Sequence, residues 1–253
     1  MSLVGLQGFK GLSAVLLIGL VLGLAEMQTG VTAQQPPATR SIAAGKFRVR
    51  VKRNGAYFLS VRAKEVPLTQ IVAELSRRLK APVVLSRVME KQKVTLEFED
   101  LPLETALLMM APLPYVHYEL QGGSAPVCRE IFLNAYNEPV PAAKLENKNI
   151  SFVMQGDTES MDPKDDPLHV GYSDGRLTVR VKRQSLSAVL DRIAMVLSVN
   201  LIMKQDTNDT VDLDFKEASL EDAISYFPPT VQLHVRKDIQ RTTTVPLLVE
   251  LAN

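Results

Sequence analysis

Three histidines are the first residues to examine for chemistry, because imidazole binds metals and transfers protons near neutral pH. His117, His169 and His234 are the only histidines in the chain. None has a second His or a Cys at the spacing that metal ligands show. His117 and His234 alternate with apolar residues, so their side chains face away from a core, and His169 lies in or near a linker. We therefore expect solvated surface histidines and no metal site.

An acidic stretch and a glycine pair are the next candidates. The stretch contains Asp157, Glu159, Asp162, Asp165 and Asp166. It lacks the residue order and the closing Glu of a calcium loop, so we interpret it as a solvated charge run. The glycine pair in residues 122–124 stands between two alternating segments. That position predicts a hairpin turn and not a phosphate cradle.

Basic residues alternate near the start of the first patterned segment, at Arg48, Arg50 and Lys52, with Arg53 following. A similar but shorter group comprises Arg180, Lys182 and Arg183. Such a stripe either binds phosphates of nucleic acid or of lipid headgroups, or keeps an outward strand face soluble and unpaired; we favour the second reading. Lys plus Arg total 29 against 28 Asp plus Glu, so no net field attracts nucleic acid. We expect no nucleic-acid partner.

No residue pattern supports catalysis. The chain contains neither the Gly-x-Ser-x-Gly nor the His-Glu-x-x-His motif, and it has no Walker pattern. Trp is missing and aromatic residues make up 6%, so stacking platforms for sugars or bases are not expected. Cys128 is the single cysteine, either a small buried hydrophobe or a partner for another chain, and it cannot form an internal disulfide. We predict that the protein is not an enzyme and that it has no catalytic residues and no cofactor.

The first 33 residues have the features of a targeting segment. Lys10 precedes the nearly unbroken apolar run 11–25, and small residues at 31–33 suit a signal peptidase. The run is shorter than the roughly 18–20 residues of a comfortable membrane span, which favours cleavage over an uncleaved anchor. We expect export to the periplasm, with outer-membrane association as an option. Contact with a membrane is expected only through this segment, if it is retained.

A repeated pattern indicates which elements position these residues. Residues 59–68 align without gaps to residues 177–186. The apolar positions that follow match in pairs and lie on one helical stripe: Leu68, Ile71, Val72, Leu75 and Leu79 with Leu186, Val189, Leu190, Ile193 and Leu197. Closing strands match as Val116, Tyr118 and Leu120 with Val231, Leu233 and Val235. Agreement of face and order across several elements predicts an internal duplication.

The duplication predicts an α+β fold of two consecutive βαββαβ units, each a two-layer sandwich of two helices on one small sheet. We place the first unit at 46–135, a linker at 136–176 and the second unit at 177–253. Extra strands are expected at 47–51, at 129–133 and within 241–251. The linker boundary follows from an acidic, Pro-containing composition that buries little apolar surface.

These units resemble the secretin and TonB N-terminal short domain. The resemblance rests on Val66-Pro67-Leu68 at a helix start, on the short apolar strand 83–85, and on the alternating segment 93–98 leading into residues 101–107. It covers roughly residues 58–120 and, less closely, 177–236. It implies a periplasmic module near an outer-membrane transport channel that forms rings or docks a partner. The partners so implied are secretin, pilus or uptake-complex components, or a second copy of the chain.

One helix is apolar beyond a single stripe. Leu108 and Met109 fall outside the stripe that faces the sheet, so they either lie under the hairpin 115–134 or form an interaction surface. We expect burial of these two residues, and we also expect Met110 and Met195 to fill the core. Two functions are consistent with these features. The first is a non-catalytic envelope interaction module, and the alternative is a small-ligand-binding or sensing domain with a pocket between the two units.

Overall fold

Apolar spacing determines which side of each long helix is buried. A computed structural model describes residues 46–140, 167–204 and 207–252, which belong to one compact unit, Ser41–Asn253. In it the stripes on both helices are buried, including Ile71, Leu75, Ile193 and Leu197, as predicted. The predicted targeting segment 1–33 and the acidic residues 157–166 lie outside the described residues.

Two halves of the chain have the same order of elements. The first half comprises β1 (Phe47–Asn54), β2 (Ala56–Pro67), α1 (Leu68–Leu79), β3 (Val83–Leu85), β4 (Lys93–Pro102), α2 (Leu103–Met110), β5 (Leu113–Gln121) and β6 (Val127–Asn134). The second half comprises β7 (Leu168–Ser173), β8 (Arg176–Ser185), α3 (Leu186–Leu197), β9 (Asn200–Met203), β10 (Thr210–Ser219), α4 (Leu220–Ala223), a 3₁₀ helix (Ile224–Tyr226), β11 (Val231–Asp238) and β12 (Thr243–Leu251). The fold is mixed α+β and mostly strand, and the extra strands are present as β1, β6 and β12.

The strands form three sheets, one of which joins the halves. Two three-stranded sheets have the orders β1-β2-β4 and β7-β8-β10. A six-stranded sheet has the order β3-β6-β5-β11-β12-β9, with antiparallel β5 and β11 at its centre. Helices α1, α2 and α3 each contact strands of a three-stranded sheet and of the six-stranded sheet. The helices therefore lie between two sheets, whereas we predicted one sheet beneath them.

The predicted linker 136–176 contains a strand. β7 pairs with β8 along its whole length, and Val170 on it is buried in the core. His169 therefore lies on a strand opposite Arg180 and not in a linker. Sequence reasoning missed β7 because Gly171 interrupts a short alternating pattern, and glycine normally weakens a strand.

The closing strands correspond in a different register from the one predicted. The ladder between β5 and β6 has a bulge directly after His117, and the ladder between β11 and β12 has one directly after His234. His117 therefore corresponds to His234, and Tyr118 to Val235. The structural offset between His117 and His234 equals the offset between Leu103 and Leu220, which begin the second helices, so the sequence alignment shifted the closing strands by two residues.

No helix among the described residues is long and apolar enough to cross a membrane.

Candidate functional site

The pairing of β5 with β11 brings two histidines together. His117 lies opposite Arg236 and His234 lies opposite Glu119 in the ladder, on the sheet face away from the helices. The two imidazoles meet with His117 Nε2 at 3.2 Å from His234 Nδ1, and each residue is 8% exposed. The prediction of solvated surface histidines is therefore wrong. The pairing of β5 with β11 places the two histidines next to each other, which the sequence of either strand alone does not show.

Ion pairs flank the histidines on both sides of this junction. Arg129 Nε donates to Glu119 Oε2 at 2.6 Å, and Lys204 Nζ lies 2.5 Å from Glu250 Oε1. His234 Nε2 lies 3.3 Å from Glu250 Oε2, close enough for this carboxylate to act on the charge state of the ring. Acidic and basic groups therefore surround the histidine pair.

Burial sets the charge state of this pair. The pKa of His117 is lowered to about 4, mainly by burial and in smaller part by the neighbouring His234, Arg129 and Arg236. Burial also lowers the pKa of His234, although Glu119 and Glu250 oppose that shift. Both rings are therefore neutral at neutral pH, and one donates its N–H to the other. Among the described ranges, no group of three or more His, Cys, Asp or Glu side chains is arranged to hold a metal ion.

A polar cleft lies beside the same junction on the helix side of the sheet. Its volume is about 120 Å³, and residues from both halves line it: Gly55, Ala56, Tyr57, Glu104, Tyr118, Leu120, Pro126, Glu221 and Lys237. Tyr118 Oη donates to Glu104 Oε1 at 2.9 Å, and Lys237 Nζ lies 3.6 Å from the same oxygen. Glu104 and Glu221 are each the second residue of a helix, at corresponding places in the two halves.

Contacts around the cleft hold the halves close together. Gln121 Nε2 donates to the carbonyl of Pro229, and the amide of Ile239 donates to the carbonyl of Pro114 at 3.1 Å. Gly122 sits against the backbone of the 3₁₀ helix and the residue that follows it. Burial and the Glu104 carboxylate raise the pKa of Tyr118, so its hydroxyl stays protonated and keeps donating.

The predicted interaction surface lies on α2 and is exposed. Leu108 is 40% exposed and Met109 is 49% exposed, whereas their neighbours Leu107 and Met110 are buried. The expected burial of Leu108 and Met109 under the hairpin 115–134 is therefore wrong, and of the methionines predicted to fill the core only Met110 does so. Met195, on α3, is 47% exposed.

Cys128 lies in the core and the glycine pair lies in a turn. Cys128 is buried on β6, and burial raises the pKa of its thiol to about 12, which agrees with its role as a small hydrophobic residue. The glycine pair forms the turn between β5 and β6, where Gly123 has φ +70°, so a hairpin turn is confirmed. Arg48, Arg50 and Lys52 share one face of β1.

No family model, no curated protein and no solved structure matches the chain. The resemblance to the secretin and TonB N-terminal short domain therefore stays a prediction from the sequence.

Proposed function

We propose that this protein is a non-catalytic interaction module of the cell envelope. In this proposal the two halves are two βαββαβ units that resemble the secretin and TonB N-terminal short domain. The chain is exported through its N-terminal segment and works in the periplasm or at the outer membrane. Its role is to dock onto another envelope protein or onto a second copy of itself.

One observation carries the proposal: Leu108 and Met109 are exposed side by side on α2. We call this pair the docking face. A helix that already buries Leu103, Leu107 and Met110 has no need of further apolar residues for its own packing. Two adjacent exposed apolar side chains on a rigid helix supply the kind of anchor that an interface uses at its centre.

The rest of the unit provides a rigid support for this face. α2 contacts β2 and β4 on one side and β5 on the other. β5 is itself paired on both edges, with β6 and with β11. A face held in this way loses little conformational freedom on binding, which favours affinity.

The test is site-specific photo-crosslinking in the organism of origin. A photoreactive residue at Met109 is expected to give a discrete adduct with one envelope protein, or a dimer of the chain. The matched control is Met195, which has nearly the same exposure but lies on another helix. It should give no such adduct.

Charging the face should remove the adduct without unfolding the protein. Leu108→Asp, combined with the photoreactive residue at 109, is expected to abolish it while the circular dichroism spectrum and the melting temperature are unchanged. Equal adducts from 109 and 195, or no adduct from either, would contradict the proposal. Turnover of a substrate by the purified protein would also contradict it.

The cleft at the junction favours a second candidate, binding of a small ligand. Glu104, Glu221 and Tyr118 converge there, and the cleft is small compared with the roughly 300–1,000 Å³ of typical ligand sites. An amine or one basic side chain fits this size and charge. Titration with a lysine dipeptide, followed by NMR, should shift resonances of Tyr118 and Lys237, and Glu221→Gln should weaken the binding. Shifts spread over the whole surface would count against this candidate.

A further inference from the structure

The geometry points to a binding site for a phosphate group on the sheet β1-β2-β4, formed by Arg48, Arg50 and Arg62. The site goes beyond the proposed docking function, since it lies on a different element from the docking face. It also reverses our reading of the basic stripe as a merely soluble strand face.

Strand register places the three guanidinium groups on one face. Arg48 is the direct cross-strand partner of Arg62, and Arg50 is the partner of Ser60. Like charges directly opposite each other destabilise a sheet. Glu97, the partner of Arg62 on β4, offsets part of this repulsion, and an anion bound beside Arg48 would offset more of it. Arginine is suited to that role because its planar fork donates two parallel hydrogen bonds to an oxyanion.

The acidic residues nearby leave two of the arginines unbalanced. Arg62 Nε lies 3.3 Å from Glu97 Oε1, and Lys52 Nζ lies 2.6 Å from Asp100 Oδ2. Among the described residues, no carboxylate lies within ion-pair distance of Arg48 or Arg50. Arg50 acts on Asp100 only at longer range, where it helps to lower the pKa of that carboxyl, so Arg48 and Arg50 both keep donors for a ligand.

A cleft is present where these side chains meet. Its volume is about 70 Å³, and its lining is Arg48, Arg50, Ser60, Val61, Arg62, Phe98 and Glu99. This is roughly the space of two water molecules and suits one tetrahedral oxyanion. A bulge in the ladder between β2 and β4 opens the sheet at this point, and Asp100 in it has φ +49°. Glu99 is the one carboxylate in the lining, and its negative charge opposes that of a bound anion.

The second half provides an internal control. Its sheet β7-β8-β10 keeps the bulge, and the Glu217 amide donates to Thr178 Oγ1 as the Asp100 amide donates to Ser60 Oγ. Arg180 corresponds to Arg62, but its cross-strand partner is His169. The residue opposite Thr178 is Gly171. The bulge is therefore common to both halves and does not by itself indicate a site. Arg48 and Arg50 are the feature that only the first half has.

The phosphate group can come from a soluble phosphate ester or from a phospholipid headgroup, and two measurements separate these sources. In the first, the purified protein is titrated with inorganic phosphate at constant ionic strength, against chloride, and followed by NMR. In the second, it is sedimented with phosphatidylglycerol vesicles and with phosphatidylcholine vesicles. Each is repeated with Arg48→Gln, Arg50→Gln and the matched control Arg180→Gln.

The expected result is saturable binding. Either Arg48→Gln or Arg50→Gln should weaken the affinity about tenfold, because each removes a charge-assisted hydrogen bond. The control Arg180→Gln should change the affinity less than about twofold. Arg50→Lys should restore only part of the affinity, because it keeps the charge and loses the fork. Binding of inorganic phosphate with this pattern assigns a soluble ligand; binding only to phosphatidylglycerol vesicles assigns a headgroup. The site is overturned if neither probe binds, or if Arg180→Gln weakens binding as much as Arg50→Gln does.

Discussion

The two halves share a scaffold but differ on their surfaces. Both have the same order of elements, both keep a bulge beside the central strand of the three-stranded sheet, and both bury a five-residue stripe on the long helix. The exposed positions differ. Leu108 and Met109 are the sixth and seventh residues of α2. The corresponding residues of the second half are Ser225 and Tyr226, which lie in the 3₁₀ helix that follows α4.

This difference separates what the fold requires from what it leaves free. Positions that pack against a sheet are apolar in both halves, because a cavity or a buried polar group there would destabilise the protein. Positions that face solvent carry no such constraint, so unusual residues there indicate binding. The first half has both the docking face and the arginine cleft, so we expect it to make the contacts and the second half to support it.

Matched core truncations test whether the halves are one cooperative structure. Leu68 and Leu186 both begin a long helix and both are fully buried. Replacing either by Ala should lower the free energy of unfolding by about 2–5 kcal/mol. Because β5 and β11 join the halves, each variant should shift a single transition in urea, measured by circular dichroism. Two transitions, of which each variant moves only one, would show that the halves unfold independently.

Gly122 tests the contact between the halves most directly. A Cβ atom at this position would lie 2.8 Å from the carbonyl oxygen of Phe227 and 3.1 Å from that of Ile224. Both are backbone atoms that cannot turn aside, and the φ angle of Gly122 is not left-handed, so the cost of Gly122→Ala is purely steric. We expect a loss of about 1–3 kcal/mol in urea denaturation.

Gly171→Ala is the matched control. The nearest side-chain atom to its Cβ would be His169 Nε2 at 3.9 Å, which is ordinary contact, and Gly171 too lies outside the left-handed region. Its stability should stay the same or rise slightly, since Ala suits a strand better than Gly does. If both alanine variants lose the same stability, close packing against the second half does not explain the requirement for glycine at position 122.

The sequence predicted the local features of this molecule and missed the contacts between its halves. The spacing of apolar residues was enough to predict the buried faces of α1 and α3, because each face packs against strands of the same half. The β5–β11 pairing joins two strands more than 100 residues apart, and nothing in either strand specifies the other. The histidine pair and the cleft both depend on that pairing, so neither could be found. Exposure of Leu108 and Met109 was visible only as an excess of apolar residues.

The histidine pair predicts a loss of stability in acid. His117 has a folded pKa of about 4 against about 6.5 unfolded, so the unfolded chain binds the proton more tightly. Stability from this group is fully present above about pH 7 and is lost as the pH falls from about 6.5 toward 4. Between pH 7 and pH 5 the loss should be about 1–2 kcal/mol, measured as a lower urea midpoint.

Removing the imidazoles should flatten this dependence. The double variant His117→Gln, His234→Gln cannot take up a proton at the junction, so its urea midpoint should fall less than that of the natural protein between pH 7 and pH 5. Carboxylates elsewhere titrate in both proteins and cancel in the comparison. Parallel curves for the two proteins would assign the acid sensitivity to other groups.

The smallest expected effect concerns how the second helices begin. In the second half Ser219 caps α4, because its Oγ accepts the amide of Asp222 at 3.1 Å. In the first half Pro102 precedes α2 and makes no side-chain cap. Ser219→Ala should therefore lower the free energy of unfolding by about 1 kcal/mol.

Pro102→Ser can gain a cap, because the backbone angles of Pro102 are close to those of Ser219. The same change gives the unfolded chain more conformational freedom, which costs about 0.4–1 kcal/mol of stability. We expect these terms to cancel to within about 0.5 kcal/mol, measured by urea denaturation. A loss of 1 kcal/mol or more in Pro102→Ser would mean that proline rigidity in the first half contributes more than the serine cap does in the second.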